Sequence, residues 1–453
     1  MSMKKRLLAV AAASALTVAT AVPALALENE FHGLFRLRGF IENFNDGGAG
    51  AVTPINNPRT KSYFEQRARL MYIAKANDDL KLVTHFEIDS RWGDNSYATG
   101  RGQGGGIGAD TTNLETKNVY LDFNIPSTPV NVKLGIQGFD DGYKGIIFNN
   151  DAAGVVAKAK TGFGSLGGAF FRFDDAVTGG SYLEGTVTNT TPGYLTRDLV
   201  NLNAKFNVTK DVKLGADWYL LYSDVLRQTQ DRTAINMFGV NAEAKVGPAT
   251  IDGFVLYQTG KLGSAAAIGN SQKVSAFAGN VGAKLKAGPG TLRTNALYIS
   301  GDKSSSSSVR NDFQTVADRT VNQAAHAFYA AEMQILLRNK YNMNSDRAIV
   351  QNLNNNRQGI YGGFVGYDLA IDKFFVFSNV GAAAISRDTN GANRGGDFLG
   401  TEVNTEVGYK LFDNMTTSVQ AGYMFLGNYY KPVTTGSWPE NPYTAKVQVN
   451  YTF

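Results

Sequence analysis

Charged side chains recur at every second residue in three stretches near the start of the chain. Seven residues make up this set: Arg36, Arg38, Arg67, Arg69, His85, Glu87 and Asp89. Residues two apart in a β-strand point to the same face of the sheet. If the three stretches are neighbouring strands, their side chains form one cluster of mixed charge. Such a cluster could attract or repel an ionic solute through its electrostatic field.

The same residue types could also serve catalysis, but the set needed for it is incomplete. A serine hydrolase needs a histidine and an acid beside the serine. His85 has Glu87 and Asp89 beside it, but no serine is assigned to the same face nearby. The chain contains no cysteine, which excludes thiol chemistry, cysteine-ligated metals and disulfides. We therefore expect a protein that is not an enzyme and that holds no metal or cofactor.

The first 26 residues have the features of a secretory signal peptide. Residues 4–6 are basic, residues 7–22 are mostly apolar, and residues 24–26 read Ala-Leu-Ala. A basic start, an apolar middle and an A-x-A site are the parts of such a peptide. We predict cleavage directly after this site, so that 1–26 is removed and 27–453 forms one domain. An uncleaved anchor is the alternative, although Pro23 interrupts the apolar run.

The composition excludes several protein classes. Only 18% of the residues are charged, whereas 11% are aromatic, and soluble domains typically have about 25% charged residues. This apolar content excludes a disordered chain. After residue 26, no run of 18 consecutive apolar residues occurs, so no transmembrane helix is predicted. An exported chain of this kind is either soluble or a β-barrel.

Alternation of apolar and polar residues favours the barrel. It is clear from Leu80 to Arg91 and again from Ala445 to Phe453. The alternating runs are about 10–14 residues long, and about 9–11 tilted residues cross a bilayer. Eighteen runs lie near 31–44, 63–76, 79–91, 115–125, 129–138, 152–161, 164–174, 197–208, 211–223, 234–247, 249–259, 273–287, 290–301, 358–371, 373–386, 400–412, 414–427 and 444–453.

Long and short connections alternate strictly between these runs. This asymmetry is typical of outer-membrane barrels, which have short periplasmic turns and long extracellular loops. We predict an all-β protein, a transmembrane antiparallel β-barrel of about 18 strands. Sixteen strands would also fit, because the connection 302–357 contains Ala325 to Leu337, which could form a helix or another hairpin.

Six lysines lie near predicted short turns, mostly on the face assigned to the lumen: Lys75, Lys81, Lys205, Lys213, Lys245 and Lys284. They predict a positive vestibule at the periplasmic mouth. Such a vestibule would favour anions or dock an acidic periplasmic partner. The alternative is an ordinary polar rim without selectivity.

The mature chain resembles the outer-membrane porins of Gram-negative bacteria along its whole length. One short motif adds to the architecture, a last alternating strand from Val447 that ends in Phe453. It is similar to the assembly signal of that family. The resemblance implies a bacterial outer-membrane location, contact with outer-membrane lipid, recognition of the last strand by the barrel assembly machinery, and a homotrimer.

The resemblance also implies that the third long connection, 139–151, folds inward and narrows the pore. Its charged residues are Asp140, Asp141, Lys144 and Asp151. Arginines facing this acidic loop would create a transverse field across a narrow aqueous path. Alternatively, Arg67 and Arg69 pair with Glu65 and Glu87 and only stiffen the wall.

We therefore predict a porin for passive diffusion of small hydrophilic solutes and ions, with a weak preference for anions and no nucleic-acid partner. A different function would suit the same architecture. In that alternative, the barrel is a sheath for a periplasmic or outer-surface partner, such as a multihaem cytochrome. The lysines near the short turns favour the sheath, whereas an inward loop argues against it.

Overall fold

The structure is a computed structural model. It describes residues 27–44, 52–94, 104–108, 112–175, 192–193, 196–224, 232–263, 271–303, 308–316, 329, 331–337, 348–389, 395–432 and 436–453. The predicted signal peptide, 1–26, lies outside the described residues. Among the described residues, no helical segment is long and apolar enough to span a membrane.

Most of the described chain is β-strand. The strands are β1 (Glu28–Glu42), β2 (Lys61–Asn77), β3 (Leu80–Arg91), β4 (Glu115–Asn124), β5 (Val130–Asp140), β6 (Asn149–Thr161), β7 (Gly164–Asp175), β8 (Thr196–Asn207), β9 (Val212–Ser223), β10 (Thr233–Val246), β11 (Ala249–Leu262), β12 (Gln272–Ala287), β13 (Gly290–Ile299), β14 (Val309–Arg310), β15 (Ile360–Ile371), β16 (Phe374–Ala384), β17 (Phe398–Phe412), β18 (Met415–Leu426) and β19 (Tyr443–Thr452). One 3₁₀ turn covers Asn428–Tyr430.

Eighteen of these strands close into one antiparallel barrel. Each strand pairs with the next along the chain, except that β13 pairs with β15 across the two-residue β14. The barrel closes where β1 pairs with β19, in the register from Leu34↔Thr452 to Glu42↔Thr444. β14 pairs in parallel with β12 and is an addition to the barrel. The predicted antiparallel barrel of 18 strands is confirmed, and the count of sixteen is wrong.

The connections also alternate as predicted. The long ones, named L1 to L9 in chain order, are 43–60, 92–114, 141–148, 176–195, 224–232, 263–271, 300–359, 385–397 and 427–442. The short ones lie at the other end of the barrel and are as brief as two residues, for example at 162–163 and 247–248. The two ends are called the long-loop end and the short-turn end below.

Alternation along each strand sends apolar side chains outward and polar ones inward. Val155, Phe170 and Leu202 lie on three consecutive strands and are 40%, 39% and 55% exposed. On β1, Phe35 is exposed to the outside, whereas Arg36 points the other way, as its strand periodicity requires. The outward apolar belt is the surface that a lipid bilayer would cover.

The buried apolar core lies inside the barrel, where two long connections pack against the inner wall. In L3, Tyr143, Ile146, Ile147 and Phe148 are almost fully buried. In L7, the buried apolar residues are Phe313, Val316, Tyr329, Ala331, Met333, Ile335, Leu336, Leu337, Ala348, Val350 and Leu353. The inward segments therefore bury apolar surface against each other and against the wall, which holds both loops in place.

The described part of L7 does not match either predicted structure. Residues 331–337 form neither a helix nor a hairpin of the barrel, and Leu337 makes one isolated bridge to Val350. Residues 325–328 and 330 of the proposed segment lie outside the described residues. In the described part of L7, the backbone amides of residues 334–336 donate to a side chain of the barrel wall.

Candidate functional site

L3 reaches across the inner wall from β5 and β6 to strands much further along the barrel. The hydroxyl of Tyr143 donates a hydrogen bond to Asp217 Oδ2 of β9 at 2.8 Å. Lys144 Nζ lies 2.7 Å from Asn295 Oδ1 of β13 and 2.6 Å from Asp252 Oδ2 of β11. L3 is therefore held at its tip by contacts with three different strands.

Asp141 organises the backbone of L3 from within. Its Oδ1 accepts the amide hydrogens of Tyr143 and Gly145 at 2.7 and 2.9 Å. Its Oδ2 accepts those of Ile147 and Phe148 at 2.6 and 2.9 Å. Burial raises the pKa of Asp141 to about 6, although the four amide hydrogen bonds act in the opposite direction. The carboxylate is therefore mostly ionised at neutral pH, and its charge is used inside the loop.

The ring of Tyr143 fits into a notch in the inner wall. It meets Phe254 edge-on, with centroids 5.4 Å apart, and Tyr219 at 6.2 Å. The notch exists because β10 has Gly239 at this point, where a Cβ atom would lie 2.4 Å from Tyr143 Cζ. The close approach of L3 to the wall thus depends on a residue without a side chain.

L7 is anchored to the inner wall by a buried carboxylate on β17. The side chain of Glu402 accepts three successive amide hydrogens, from Gln334, Ile335 and Leu336, at 2.7, 2.9 and 2.7 Å. Successive amides pointing at one anion form a concave binding site for negative charge. Asn404, on the same face of β17, donates to the carbonyl oxygen of Glu332 at 3.0 Å. L7 therefore has one strong attachment at this wall.

Further hydrogen bonds attach L7 to β11 and β12 and connect it with L3. Gln258 of β11 donates to the carbonyl of Gln314 and accepts its amide hydrogen, both at 2.7 Å. Asn280 of β12 donates to the hydroxyl of Tyr329 at 2.7 Å. The amide of Val316 donates to the carbonyl of Ile147 in L3 at 3.1 Å. The two inward loops therefore form one connected unit.

Sequence reasoning identified L3 as an inward loop and missed L7. The signal for L7 is its apolar content. Exposed loops are usually polar, whereas residues 331–337 include Ala331, Met333, Ile335, Leu336 and Leu337. Apolar side chains in a long connection indicate that it is buried somewhere. Here the only interior available is the lumen.

The predicted charged cluster on β1, β2 and β3 is brought together by strand register. Arg36 lies opposite Arg67, and Arg67 lies opposite Asp89. Arg38 Nε donates to Gln448 of β19 at 2.6 Å. His85 contacts Asn118 of β4 at 3.3 Å. The seven predicted side chains thus occupy one sector of the inner wall.

Within this sector, arginines and carboxylates are paired. Arg67 Nε donates to Asp89 Oδ1 at 2.6 Å, and Arg69 pairs with Glu87. Both arginines contact Glu87, which belongs to the predicted set of partners, because Arg69 pairs with it and Arg67 Nε lies 3.4 Å from its Oε2. Asp89 is a further partner of Arg67 that was not predicted. Pairs of this kind stiffen the wall and reduce its net charge.

The acidic loop predicted to face these arginines is not formed. Asp140 belongs to β5, and Asp151 belongs to β6, because both strands are longer than predicted. Asp151 pairs with Lys117 of β4. Asp141 is saturated by the amides of its own loop. The remaining charged side chain at the tip of L3 is Lys144, which is paired with Asp252 of β11, so L3 does not present the predicted excess of aspartates to the lumen.

A polar cavity of about 650 Å³ lies beneath L3, toward the short-turn end. Its charged lining residues are Lys144, Lys158, Lys160, Lys205, Lys213, Lys284, Arg293, Glu243, Asp252 and Glu332. A second cavity of about 390 Å³ shares Lys284, Arg293 and Glu332 and extends to Gln420 of β18. Because the two cavities share three lining residues, they adjoin each other on the inner wall beneath L3 and L7.

The six predicted vestibule lysines divide into two groups. Lys205, Lys213 and Lys284 line the larger cavity together, whereas Lys75, Lys81 and Lys245 do not. Lys75 Nζ lies 3.1 Å from Glu28 and 3.2 Å from Asp78, and Lys81 Nζ lies 3.6 Å from Asp122. The spacing predicted the lysines near the mouth, but only the fold shows which of them share a space.

In the ranges that the structure describes, no three His, Asp or Glu side chains are grouped so that they could hold a metal ion. The inner wall therefore presents separate charge pairs and a lysine-rich cavity. Both can act on a solute through charge, size and hydration.

Comparisons with known proteins find the same fold at very low identity. No protein-family model and no curated protein matches the chain. The outer membrane protein opdK from Pseudomonas aeruginosa is 11% identical over 94% of this chain and 98% of that one, with a TM-score of 0.54. Pseudomonas aeruginosa OccK8 (OprE) is 12% identical, with a TM-score of 0.56 and the same coverage.

A third similar structure, OccAB2 of Acinetobacter baumannii, is 10% identical, with a TM-score of 0.55 over 94% of this chain and 98% of that one. At this level of identity the likeness concerns the fold.

Proposed function

We propose that the protein is an outer-membrane porin, a water-filled channel for passive diffusion of small hydrophilic solutes and ions. One observation carries the proposal: a closed barrel has an apolar outer surface and a charged inner wall, with polar cavities beneath two inward loops. An apolar exterior suits lipid, and a charged interior suits hydrated solutes.

The path of the solute follows from where the inward loops are attached. The L3 and L7 hydrogen bonds given above reach β9, β11, β12, β13 and β17. The arginine cluster on β1 and β2 lies across the lumen from the attachments on β9, β11, β12 and β13, whereas β17 is separated from β1 by β18 and β19. We propose that solutes pass between the loops and these arginines and then enter the lysine-lined cavity.

A weak preference for anions is part of the proposal. In the arginine sector, Asp89 and Glu87 are paired with Arg67 and Arg69, and Arg36 and Arg38 add two further positive charges. In the larger cavity, seven lysine or arginine residues face three carboxylates. Charges that line a low-dielectric channel act at close range. The excess of cations therefore favours anions at the short-turn end.

Conductance of the purified protein in planar bilayers tests the proposal. We expect stepwise, stable conductance and, in a salt gradient, a reversal potential of the sign for anion preference. Folded protein, verified by its β-sheet circular dichroism, that inserts and gives no conductance would contradict the porin. A cation-selective reversal potential would contradict only the anion preference.

The alternative function, a sheath for a partner such as a multihaem cytochrome, needs an open lumen. L3 and L7 place a buried apolar core inside the barrel, which supports the channel over the sheath. Purification from native membranes distinguishes the two functions. A haem protein that co-purifies in a fixed ratio with the barrel would favour the sheath.

The proposal includes the maturation and location of the protein. We propose cleavage after Ala26, one barrel domain over 27–453, an outer-membrane location, recognition of the strand ending in Phe453 by the barrel assembly machinery, and a homotrimer. The mass of the mature protein measures the cleavage site. Sedimentation of the detergent-solubilised protein measures the number of chains.

A further inference from the structure

We propose that the cavity beneath L3 is a binding site for small multivalent oxyanions, which carry several phosphate or carboxylate groups. This inference deepens the proposed function, because the site would lie on the path of the solute. Binding itself does not require conduction, so the two proposals can be tested separately.

Among the residues that the structure describes, four of the lysines that line the cavity form no salt bridge and are available to bind an anion. Lys144 is paired with Asp252 at 2.6 Å, and Lys213 with Glu243 at 3.1 Å. Arg293 is paired with Asp368 at 2.6 Å. The other four cations are Lys158, Lys160, Lys205 and Lys284. Within the described parts of the chain, none of these four has a salt bridge or a side-chain hydrogen bond.

Strand register brings three of these lysines close together. Lys158 and Lys160 lie two residues apart on β6 and therefore share a face. Lys160 is opposite Ser165 of β7, which is opposite Lys205 of β8. Adjacent strands are about 4.8 Å apart, so the backbones at Lys160 and Lys205 are separated by about 10 Å. Ser165 lies between them and adds a hydroxyl to the lining.

The fourth lysine belongs to another part of the same wall. Lys284 of β12 lies opposite Arg293 of β13, and both line the cavity. Because β6 and β12 are six strands apart, Lys284 adds positive charge at the far side of the cavity, and Lys158, Lys160 and Lys205 form the group that an anion would contact. A solute with several charged groups can contact such a set, whereas a monovalent ion contacts one or two members.

On the inner wall of the cavity, two glycines lie beside asparagines, and few side-chain atoms project into the space there. Asn241 of β10 lies over Gly215 of β9, where a Cβ would be 2.4 Å from the amide oxygen. Asn295 of β13 lies over Gly282 of β12 in the same way, at 2.6 Å. The asparagine side-chain amides lie against the glycine backbones, in the space that a side chain at each glycine position would otherwise fill. The lumen next to them therefore stays open. The resulting volume, about 650 Å³, is typical of small-molecule sites.

Electrostatics explains why a multivalent anion would be preferred. Several ammonium groups without carboxylate partners repel one another at the border of a low-dielectric wall. An oxyanion that contacts several of them relieves this repulsion and gains charge-assisted hydrogen bonds. Binding should weaken as ionic strength rises, because salt screens these contacts.

Calorimetric titration of the full-length folded protein in detergent tests the site. The probes are pyrophosphate, citrate and acetate at low ionic strength. We expect the first two to bind and acetate to show no measurable binding. The double variant Lys160→Gln/Lys205→Gln should bind at least about tenfold more weakly, because it removes two of the four available charges.

The matched control is the double variant Lys81→Gln/Lys245→Gln, which replaces two lysines outside the cavity. It lowers the total charge by as much as Lys160→Gln/Lys205→Gln does, and it should leave the affinity for pyrophosphate and citrate unchanged. Binding of pyrophosphate alone or of citrate alone would support the site and identify its preferred group. No binding to folded wild-type protein, or equal weakening in both double variants, would overturn the proposal.

Conductance separates this proposal from that of the porin. Pyrophosphate should reduce the chloride current of the wild type and reduce it less in Lys160→Gln/Lys205→Gln. A protein that binds pyrophosphate but never conducts would contradict the porin and leave the site standing. A protein that conducts while pyrophosphate neither binds nor reduces the current would contradict the site alone.

Discussion

Gly239 determines how closely L3 can approach the inner wall. A Cβ at this position would lie 2.4 Å from both Cζ and Oη of Tyr143. The same tyrosine donates to Asp217 at 2.8 Å, so a shift of its ring also disturbs this hydrogen bond. One hydrogen atom in place of a methyl group thus permits the contact that fixes the tip of L3.

We expect Gly239→Ala to release the tip of L3 and to increase the noise of the open-channel current. Overpacking of this kind typically costs about 1–3 kcal/mol. The measurement is single-channel recording of the variant beside the wild type. Gly363→Ala is the matched control, because a Cβ there would meet no atom within 4 Å. Identical current traces for the wild type and Gly239→Ala would contradict the assigned role of the glycine.

At the scale of residues, the sequence predicts those features that depend on strand periodicity. Arg36, Arg67 and Asp89 could be assigned to one cluster because side chains alternate between faces. The role of Asp141 could not be predicted in this way. Its four hydrogen bonds depend on the path of an irregular backbone, for which no periodicity exists. The predicted acidic loop was wrong for this reason and because β5 and β6 extend far enough to include Asp140 and Asp151.

Among the elements, L7 depends most clearly on a single attachment. The carboxylate of Glu402 receives three amide hydrogens from residues 334–336. Buried hydrogen bonds to a charged group are each worth about 1.5–3 kcal/mol. The loss of this charge should therefore loosen L7 while the barrel strands remain paired.

We expect Glu402→Gln to accelerate hydrogen exchange at the amides of 334–336 by about 10- to 100-fold, since about 1.4 kcal/mol corresponds to a factor of ten. Mass spectrometry of exchanged peptides from L7 and from β17 would measure this. Glu406→Gln, further along the same face of β17, should leave exchange in L7 unchanged. Equal protection of 334–336 in Glu402→Gln and the wild type would contradict the anchor.

The strands themselves could be predicted from the sequence, whereas the inward loops could be predicted only in part. All eighteen barrel strands correspond to alternating runs, because one face of each strand meets an apolar environment and the other face meets water. L3 was expected at 139–151, but its strands extend to Asp140 and begin again at Asn149. L7 was missed because its partners are far apart in sequence, as Glu402 and Leu336 illustrate.

At the scale of the whole molecule, the barrel is closed by the pairing of β1 with β19, which is called the seam below. The amide of Gly33 donates to the carbonyl of Phe453 at 2.8 Å, and the amide of Phe453 donates to the carbonyl of Gly33 at 3.1 Å. The ring of Phe453 covers Gly33, where a Cβ would lie 2.1 Å from Cζ. The last residue therefore contributes to the end of the seam.

We expect Phe453→Ala to lower the temperature at which the folded barrel denatures in detergent, since the ring no longer covers Gly33. The effect should be about 1–2 kcal/mol, because the ring buries only part of its surface. Heat-dependent mobility on gels measures this transition. Phe412→Ala, at the same end and 65% exposed, should shift the temperature less. An equal shift in both variants would contradict a special contribution from the seam.

The positions of the loop contacts also impose an order on biogenesis. L3 follows β5 in the chain, yet the tip contacts of this loop belong to β9, β11 and β13. L7 needs β17, and the barrel closes only when β1 pairs with β19, which follows β17 in the chain. The narrowing of the lumen can therefore be completed only late in assembly. A nascent barrel that entered the membrane before this stage would have a wider lumen than the finished protein.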